Sequence, residues 1–405
     1  MTGELPLSDV KIVDLMWLIA GPAATRVLAD YGATVVRIES TRHLDGARTI
    51  GPHHDDDPDP EGSGVFGNMN AGKLGLTLDI SQPAGREVVL DLVRWADVVT
   101  EAFSPKAMRA WSLDYESLRQ VKPEIIMLST CLMGQTGPLA QFAGFGNLAA
   151  AVSGFFSLTG WPDRPPAGPF SAYTDYVAPR FTAAAILAAL EYRDRTGEGQ
   201  YIDQSQTESA LHFLGPAVLD YTVNRRVQPA VGNRDPNMAP HGVYPAAGED
   251  RWIAIAISTP MQWASLCAVL QQPELLEDER FATVAARRAH HEALDGMIAA
   301  WTQKHTAEEA EQRLQAHDIP ASAVLGMYDL ATEPQLAHRQ HFVELDDPRQ
   351  ETTTVEGSRF KLSRTPAQID RVAPTLGRDN REVLETILGY SAERIAALAA
   401  QGILQ

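Results

Sequence analysis

Along the first third of the chain, apolar residues come in short blocks whose period changes from block to block. Residues 10–15 form an apolar run that reads as a buried strand. Ala20-Gly21-Pro22 interrupts it, and 23–31 carry helical spacing that Gly32 ends in the C-cap role glycine fills best. Residues 34–38 read as a second strand, closed by Glu39. Strand, helix and strand joined by short connections make a β-α-β unit, the repeating piece of a parallel sheet with helices packed on it. The alternation continues with a strand over 74–79, an amphipathic helix over 83–95 and a strand over 97–100. The turn Glu101-Ala102-Phe103-Ser104-Pro105 then leads to a helix with Met108 and Arg109, and 124–129 form a further strand. The pattern predicts the α/β class, with a doubly wound parallel sheet in the large domain.

Further on, a loop of Pro, Gly and Ser runs into an Ala/Leu-rich segment in which Phe181, Ile186 and Leu190 share one apolar face. Asp175 sits where loop becomes helix, and Pro179 suits a first turn. Free backbone N–H groups and the positive end of the helix dipole would keep that carboxylate ionised near neutral pH, as a cap or as a nucleophile. Residues 200–203 read as a strand and 207–221 as a helix. Residues 224–242, rich in Asn, Arg, Pro and Gly, read as an irregular linker or active-site loop. A strand over 252–257, helices over 261–270, 285–301 and 307–316, and a strand over 319–324 follow. The domain expectation is 1–224 for the first part of the large domain and 225–325 for a smaller α+β domain. Residues 326–405, short helices and polar turns ending in helices near 381–388 and 392–400, return to the large domain because they cannot bury themselves.

Composition narrows function more than fold. The 405 residues are 44% hydrophobic and 21% charged, which is ordinary for a globular protein. A net charge of −18 speaks against nucleic acid as a partner and confines any phosphorylated ligand to a local basic pocket. Two cysteines, Cys131 and Cys267, are too few for a disulfide framework and fit a reducing compartment. The start has no basic and apolar leader pattern, and no apolar run reaches membrane-spanning length. The expectation is a cytoplasmic protein with no membrane partner.

Several tempting motifs dissolve on inspection. His53-His54-Asp55-Asp56-Asp57 lies between loop-forming residues, and adjacent side chains rarely point at one ion, so it reads as a solvated loop rather than a metal site. Gly144-Phe145-Gly146-Asn147-Leu148-Ala149 matches the loose dinucleotide pattern, but nothing strand-like precedes it. His290-His291-Glu292 lacks ligand spacing, and neither cysteine has a CxxC partner. Lys73, just after Gly72 in a tight loop, is either solvated or a phosphate contact.

Other segments converge on one family. They are Val13-Asp14-Leu15 with Ala20-Gly21-Pro22; Leu28-Ala29-Asp30-Tyr31-Gly32-Ala33; Asn70-Ala71-Gly72-Lys73 with Leu78-Asp79; and Ala96-Asp97-Val98-Val99 with Glu101-Ala102-Phe103. Gly134-Gln135-Thr136-Gly137-Pro138, Thr174-Asp175-Tyr176-Val177-Ala178, and Gly232-Asn233 with Ala239-Pro240 complete the series. In this order and spacing the chain resembles, over nearly its whole length, the class III CoA-transferases, the group of formyl-CoA transferase, carnitine CoA-transferase and alpha-methylacyl-CoA racemase.

The resemblance implies an acyl-CoA donor, a carboxylate acceptor, coenzyme A without a metal, and an interlaced homodimer or a heteromer with a related subunit. It places the catalytic aspartate on Asp175, which would attack the thioester and form an acyl-aspartyl anhydride. CoA contacts would fall on Ile19, Arg42, Arg48, Asn70, Lys73, Ala102, Phe103, Met108 and Arg109. Members usually carry Arg directly after the strand-ending Glu39; here that place is Ser40, with Arg42 as a substitute. The usual Asn of the Glu-Asn-Phe turn is Ala102, and the usual Arg of the next helix is shifted to Arg109. Arg48 fits an Asp-x-x-Arg element with Asp45, with an ion pair as its alternative role. Where the racemase needs a histidine base, this chain has Gly144-Phe145-Gly146, and phenylalanine accepts no proton. Transfer is therefore expected over racemisation or epimerisation, with a CoA-binding subunit of a heteromer as the other alternative. Phe145 and Gly146 would line a roomy apolar pocket for a bulky or aromatic acyl group, and His241 is the remaining polar candidate for the substrate side.

Overall fold

Six short strands carry the larger part of the molecule: β1 (Lys11–Leu15), β2 (Thr34–Glu39), β3 (Leu74–Thr77), β4 (Val98–Glu101), β5 (Ile126–Cys131) and β6 (Tyr201–Ser205). The structure is a computed structural model that describes residues 4–104 and 106–405. Pro105 of the expected turn and the first three residues lie outside the described residues. The strands form one parallel sheet in the order β3-β2-β1-β4-β5-β6. The chain builds outward from β1 on one side and then returns past it to β4. The crossing point lies between β1 and β4, and in such sheets the ligand crevice opens outside the carboxyl ends of the strands there.

Both faces are covered, which is why the strands read as near-continuous apolar runs. Val13, Val36, Leu76, Val99 and Met127 point to one face, against Val88, Val89 and Leu92 of the Pro83–Trp95 helix and Leu384 and Leu398 of the C-terminal segment. Ile12, Val35, Val98, Ile126 and Leu128 point to the other, against Leu28 of the Ala20–Asp30 helix and Ile186, Ala189 and Leu190 of the Tyr173–Thr196 helix. Each such aliphatic side chain contributes about 1.5–3 kcal/mol on burial. The exposed edge of β3 is closed by the C-terminal segment: Gly75 N–H donates to Asp379 Oδ2 at 2.7 Å and Thr77 N–H to Asn380 Oδ1 at 2.8 Å.

The chain divides into two compact units. The one just described takes in the chain up to Phe156, Gly168–Gln228 and Ala337–Gln405; the other consists of Ser157–Ala167 and Pro229–Leu336. The second unit is therefore longer than the expected 225–325. Ser157–Ala167 belongs to it because Gly232 N–H donates to Gly160 O at 2.8 Å. It has an antiparallel sheet, β7 (His241–Pro245), β8 (Trp252–Ala256) and β9 (Ala321–Ala323), packed on helices through Ile253, Ile255, Leu266, Phe281, Ile298 and Leu314. β7 corrects the expected linker, whose Pro-rich irregularity ends at Pro240.

Other expectations also change. The helix expected over 207–221 is broken into Gln206–Leu211, His212–Leu214 and Gly215–Asn224. Pro216 has no N–H to extend the first piece. The helix expected over 285–301 splits at His290 into Val284–Ala289 and His291–Thr302. The C-terminal turns contain a hairpin, β10 (Phe342–Asp347) with β11 (Glu351–Glu356), which buries only Leu345 and Val355 against Ala71. Pro179 lies inside the Tyr173–Thr196 helix rather than in its first turn. Lacking an N–H, it leaves the carbonyl of Asp175, four residues back, without its helical partner. No described helix is long and apolar enough to cross a membrane.

Candidate active site

Asp175 is the third residue of its helix and is only 8% exposed. Its carboxylate rests on Gly146: a Cβ built there would lie 2.7 Å from Asp175 Cγ and Oδ1. The Gly146 carbonyl accepts from Thr174 Oγ1 at 2.9 Å, and its N–H is close enough to the Asp175 carboxylate to act on its pKa. Burial pushes the Asp175 carboxyl up from 3.8 to about 6, and the Gly146 N–H pulls back only part of that rise. Desolvation thus outweighs the helix start, contrary to the electrostatic expectation, yet the group is still mostly ionised at neutral pH.

The carboxylate opens on a cleft of about 220 Å³ at the carboxyl ends of the strands. Trp17–Gly21 follow β1, Ala102–Ser104 follow β4, Thr130–Leu132 end β5, Gln206 follows β6, and Ala140–Phe145 close one side. This is the crevice that the strand order marks. Cys131 is no rival nucleophile, because burial holds its thiol above the usual range and so protonated at neutral pH.

The wall after β1 is fixed by buried charge. Asp14, fully buried, accepts from Lys73 Nζ at 2.9 Å, Thr25 Oγ1 at 2.7 Å, Thr100 Oγ1 at 3.1 Å and Met16 N–H at 3.0 Å. Burial would raise its pKa, but Lys73, Arg37 and the Thr25 hydroxyl together outweigh burial and hold it below the usual value. Arg37 donates to Met16 O at 2.6 Å and pairs with Asp45, whose Oδ1 takes Leu18 N–H at 2.8 Å. Leu18 has φ of 63°, a left-handed conformation that costs a branched side chain about 1–3 kcal/mol and persists only when its surroundings impose it.

The residues expected to contact CoA differ in how the fold holds them. Lys73 is 0% exposed and its ammonium is spent on Asp14, Pro22 O at 3.0 Å and Asn70 Oδ1 at 2.9 Å, so a phosphate has no approach. Asn70 is equally buried and bonds Phe66 O at 3.1 Å. Arg48 is buried under its ion pairs with Glu39 at 2.8 Å and Glu61 at 2.7 Å and sits over the Phe66 ring, which is the alternative role stated for it. Ile19, Ala102, Phe103, Phe145, Gly146 and Asp175 come together at the cleft. Arg42 is exposed, paired with Asp79 at 3.0 Å. Met108 and exposed Arg109 border a neighbouring cavity with Glu101. Glu101 takes the Phe103 N–H at 2.7 Å and is pushed up by burial to about 7. His241 opens β7 in the second unit and bonds Asn233 O through Nδ1 at 2.6 Å. Sequence reasoning missed Trp17, Leu18, Thr130, Phe142 and Gln206. The rule that ligands sit beyond the carboxyl ends of switch-point strands would have found most of them. Among the described residues, no group of three His, Cys, Asp or Glu side chains could hold a metal ion.

A doubly wound α/β sheet whose switch-point crevice holds one desolvated carboxylate defines an enzyme that works on a ligand carried across the strand ends. The chain belongs to CoA-transferase family III, whose sequence profile matches residues 7–380. It is 33% identical to the succinyl-CoA–D-citramalate CoA-transferase of Chloroflexus aurantiacus over 98% of both chains. It is 30% identical to the beta subunit of the succinyl-CoA–L-malate CoA-transferase of the same organism, over 100% of this chain and 99% of the relative. The crystal structure of a CAIB/BAIF family protein from Brucella suis superposes with a TM-score of 0.86 at 30% identity, covering 95% of this chain and 100% of that one.

Proposed function

We propose that this CoA-transferase moves CoA from an acyl-CoA to a carboxylate acceptor through an acyl-aspartyl anhydride on Asp175. The observation that carries the reading is a buried carboxylate, facing a cleft and paired with no cation among the described residues, with its pKa raised to about 6. Such a group is ionised at neutral pH yet poorly solvated, which favours attack on a carbonyl carbon. An Asp175 oxygen bonds to the thioester carbon, the carbon–sulfur bond breaks, and CoA leaves as thiolate. The acceptor carboxylate then attacks the aspartyl carbonyl of the anhydride, the bond from that carbon to the bridging oxygen breaks, and the donor acid leaves as its carboxylate, so that Asp175 now carries the acceptor's acyl group. The thiolate then attacks the new acyl carbon, which gives the product thioester and restores the carboxylate.

Trp17, Phe103, Phe142 and Phe145 around the cleft support a bulky or aromatic acyl group. A racemase would need a second proton carrier, and Phe145 supplies none. Of the basic candidates, only Arg42 and Arg109 are exposed enough to meet CoA phosphates. The likeness to one subunit of a two-subunit transferase leaves assembly as a homodimer or as a heteromer with a related chain. Two free cysteines suit a reducing cytoplasm.

The test is mass spectrometry after incubation with a panel of acyl-CoAs and quenching with hydroxylamine. A hydroxamate on Asp175 that disappears in Asp175→Ala is expected. Turnover without any modification of Asp175, or turnover that survives the alanine substitution, removes the mechanism.

A further inference from the structure

Five buried side-chain polar atoms among the described residues have no hydrogen-bond partner, and two of them belong to residues that border the Asp175 cleft. They are Thr130 Oγ1, on a residue 1% exposed, and Gln206 Oε1, on a residue 8% exposed. A buried polar atom without a partner is uncommon and calls for a cause, such as a ligand that completes it. The β5–β6 register sets Thr130 beside Gln204, and Gln206, just past the end of β6, borders the same cleft. Gln204 does not serve Thr130, because its own amide is used on Thr182 and on Ala178 O at 3.2 Å. A threonine hydroxyl and a glutamine amide together can give one bond and take another, which is what a substrate hydroxyl needs.

Charge limits the rest of that ligand. Among the described residues lining the cleft there is no Lys, Arg or His, and the one charged group is Asp175 itself. A second carboxylate on the acyl chain would be buried beside a like charge with no counter-ion.

We propose that Thr130 and Gln206 form a specificity subsite for a hydroxyl group on an otherwise uncharged acyl chain. The inference rests on the transferase reading and adds a substrate class to it. It sets this cleft apart from relatives named for succinyl-CoA, whose acyl chain carries a free carboxylate.

The experiment measures binding of matched thioesters to Asp175→Asn protein by calorimetry, so that chemistry does not intervene. The probes are hydroxybutyryl-CoA against butyryl-CoA, hydroxyphenylacetyl-CoA against phenylacetyl-CoA, and succinyl-CoA. The hydroxylated member of at least one pair is expected to bind about tenfold to a hundredfold tighter. Adding Thr130→Val or Gln206→Leu should erase that preference and leave the deoxy member unchanged, while Thr130→Ser retains it. Thr130→Val alone should also leave the melting temperature equal or higher, since it removes a group with no partner. Absence of preference in both pairs, equal weakening of both members, or tightest binding of succinyl-CoA overturns the proposal. Hydroxylamine trapping on the wild-type protein separates the two failures. Labelling of Asp175 without hydroxyl preference sinks the subsite alone; no labelling by any donor sinks the anhydride, while the binding preference still decides the subsite.

Discussion

Asp14 and Asp175 are both buried aspartates at the carboxyl end of the same sheet, and they have opposite electrostatics. Asp14 is met by Lys73, two hydroxyls and a backbone N–H, and its pKa is held down by the cations around it. Asp175 has the Gly146 N–H and a cleft, and burial drives its pKa up. Burial alone therefore does not decide a carboxyl's pKa; the presence or absence of a counter-charge beside it decides as much. The first aspartate shapes the wall of the cleft through Met16, and the second faces that cleft without a counter-charge among the described residues.

The sharpest way to break this contrast is to unpair the first aspartate. Lys73→Met leaves Asp14 charged in the interior with one cation fewer, and destabilisation of about 3–5 kcal/mol is expected by denaturant titration. A loss under 1 kcal/mol would mean that Asp14 is not held by this pair.

The second aspartate should respond with the opposite sign. Its folded-state pKa of about 6 lies above the unfolded 3.8, so folding favours the protonated form. The stability this provides is complete below the unfolded pKa and vanishes as pH rises through about 6. Asp175→Asn should therefore stabilise the protein at pH 7.5 by at most about 2–3 kcal/mol, with no gain below pH 4. Anhydride formation by the wild-type protein should follow the same titration and fall as pH drops through about 6. A gain that persists unchanged in acid would assign the effect to packing.

Much of the frame was legible because buried parallel strands leave a strong mark. The runs at 10–15, 34–38 and 97–100 had no other reading once Gly32 and the 83–95 helix separated them. The hairpin near 342–356 was hidden because only Leu345 and Val355 of its residues are buried, so its polar alternation resembled turns. For Asp175, position on the chain pointed to a cap and the family resemblance to a nucleophile; only burial explains the raised pKa. The burial of Lys73, Asn70 and Arg48 was hidden for a different reason. A sequence shows a cation near a glycine but not that Asp14, far back in the chain, already occupies Lys73, or that Glu39 and Glu61 close over Arg48. Thr130 and Gln206 gave no signal, since an unsatisfied atom is visible only once its neighbours are placed.

A smaller change tests how tightly the proposed nucleophile is seated. Gly146→Ala puts a methyl group 2.7 Å from the Asp175 carboxylate, too close for either to stay where it is. Displacement of a nucleophile by a fraction of an ångström to an ångström lowers its rate about tenfold to a hundredfold. The expected readout is slower hydroxamate labelling with little change in acyl-CoA affinity.

The smallest effect belongs to the exposed end of the basic set. Arg42 pairs with Asp79 at 3.0 Å with half its side chain in solvent, where such pairs contribute about 0–1 kcal/mol. Arg42→Ala should therefore barely move stability, in contrast to Lys73→Met. If Arg42 meets a CoA phosphate, the same substitution raises KM for acyl-CoA several-fold at low salt with kcat unchanged, and the difference shrinks as salt screens the contact. An unchanged KM at low salt would leave Arg109, beside buried Met108, as the exposed cation among the candidates able to hold the nucleotide end of the substrate.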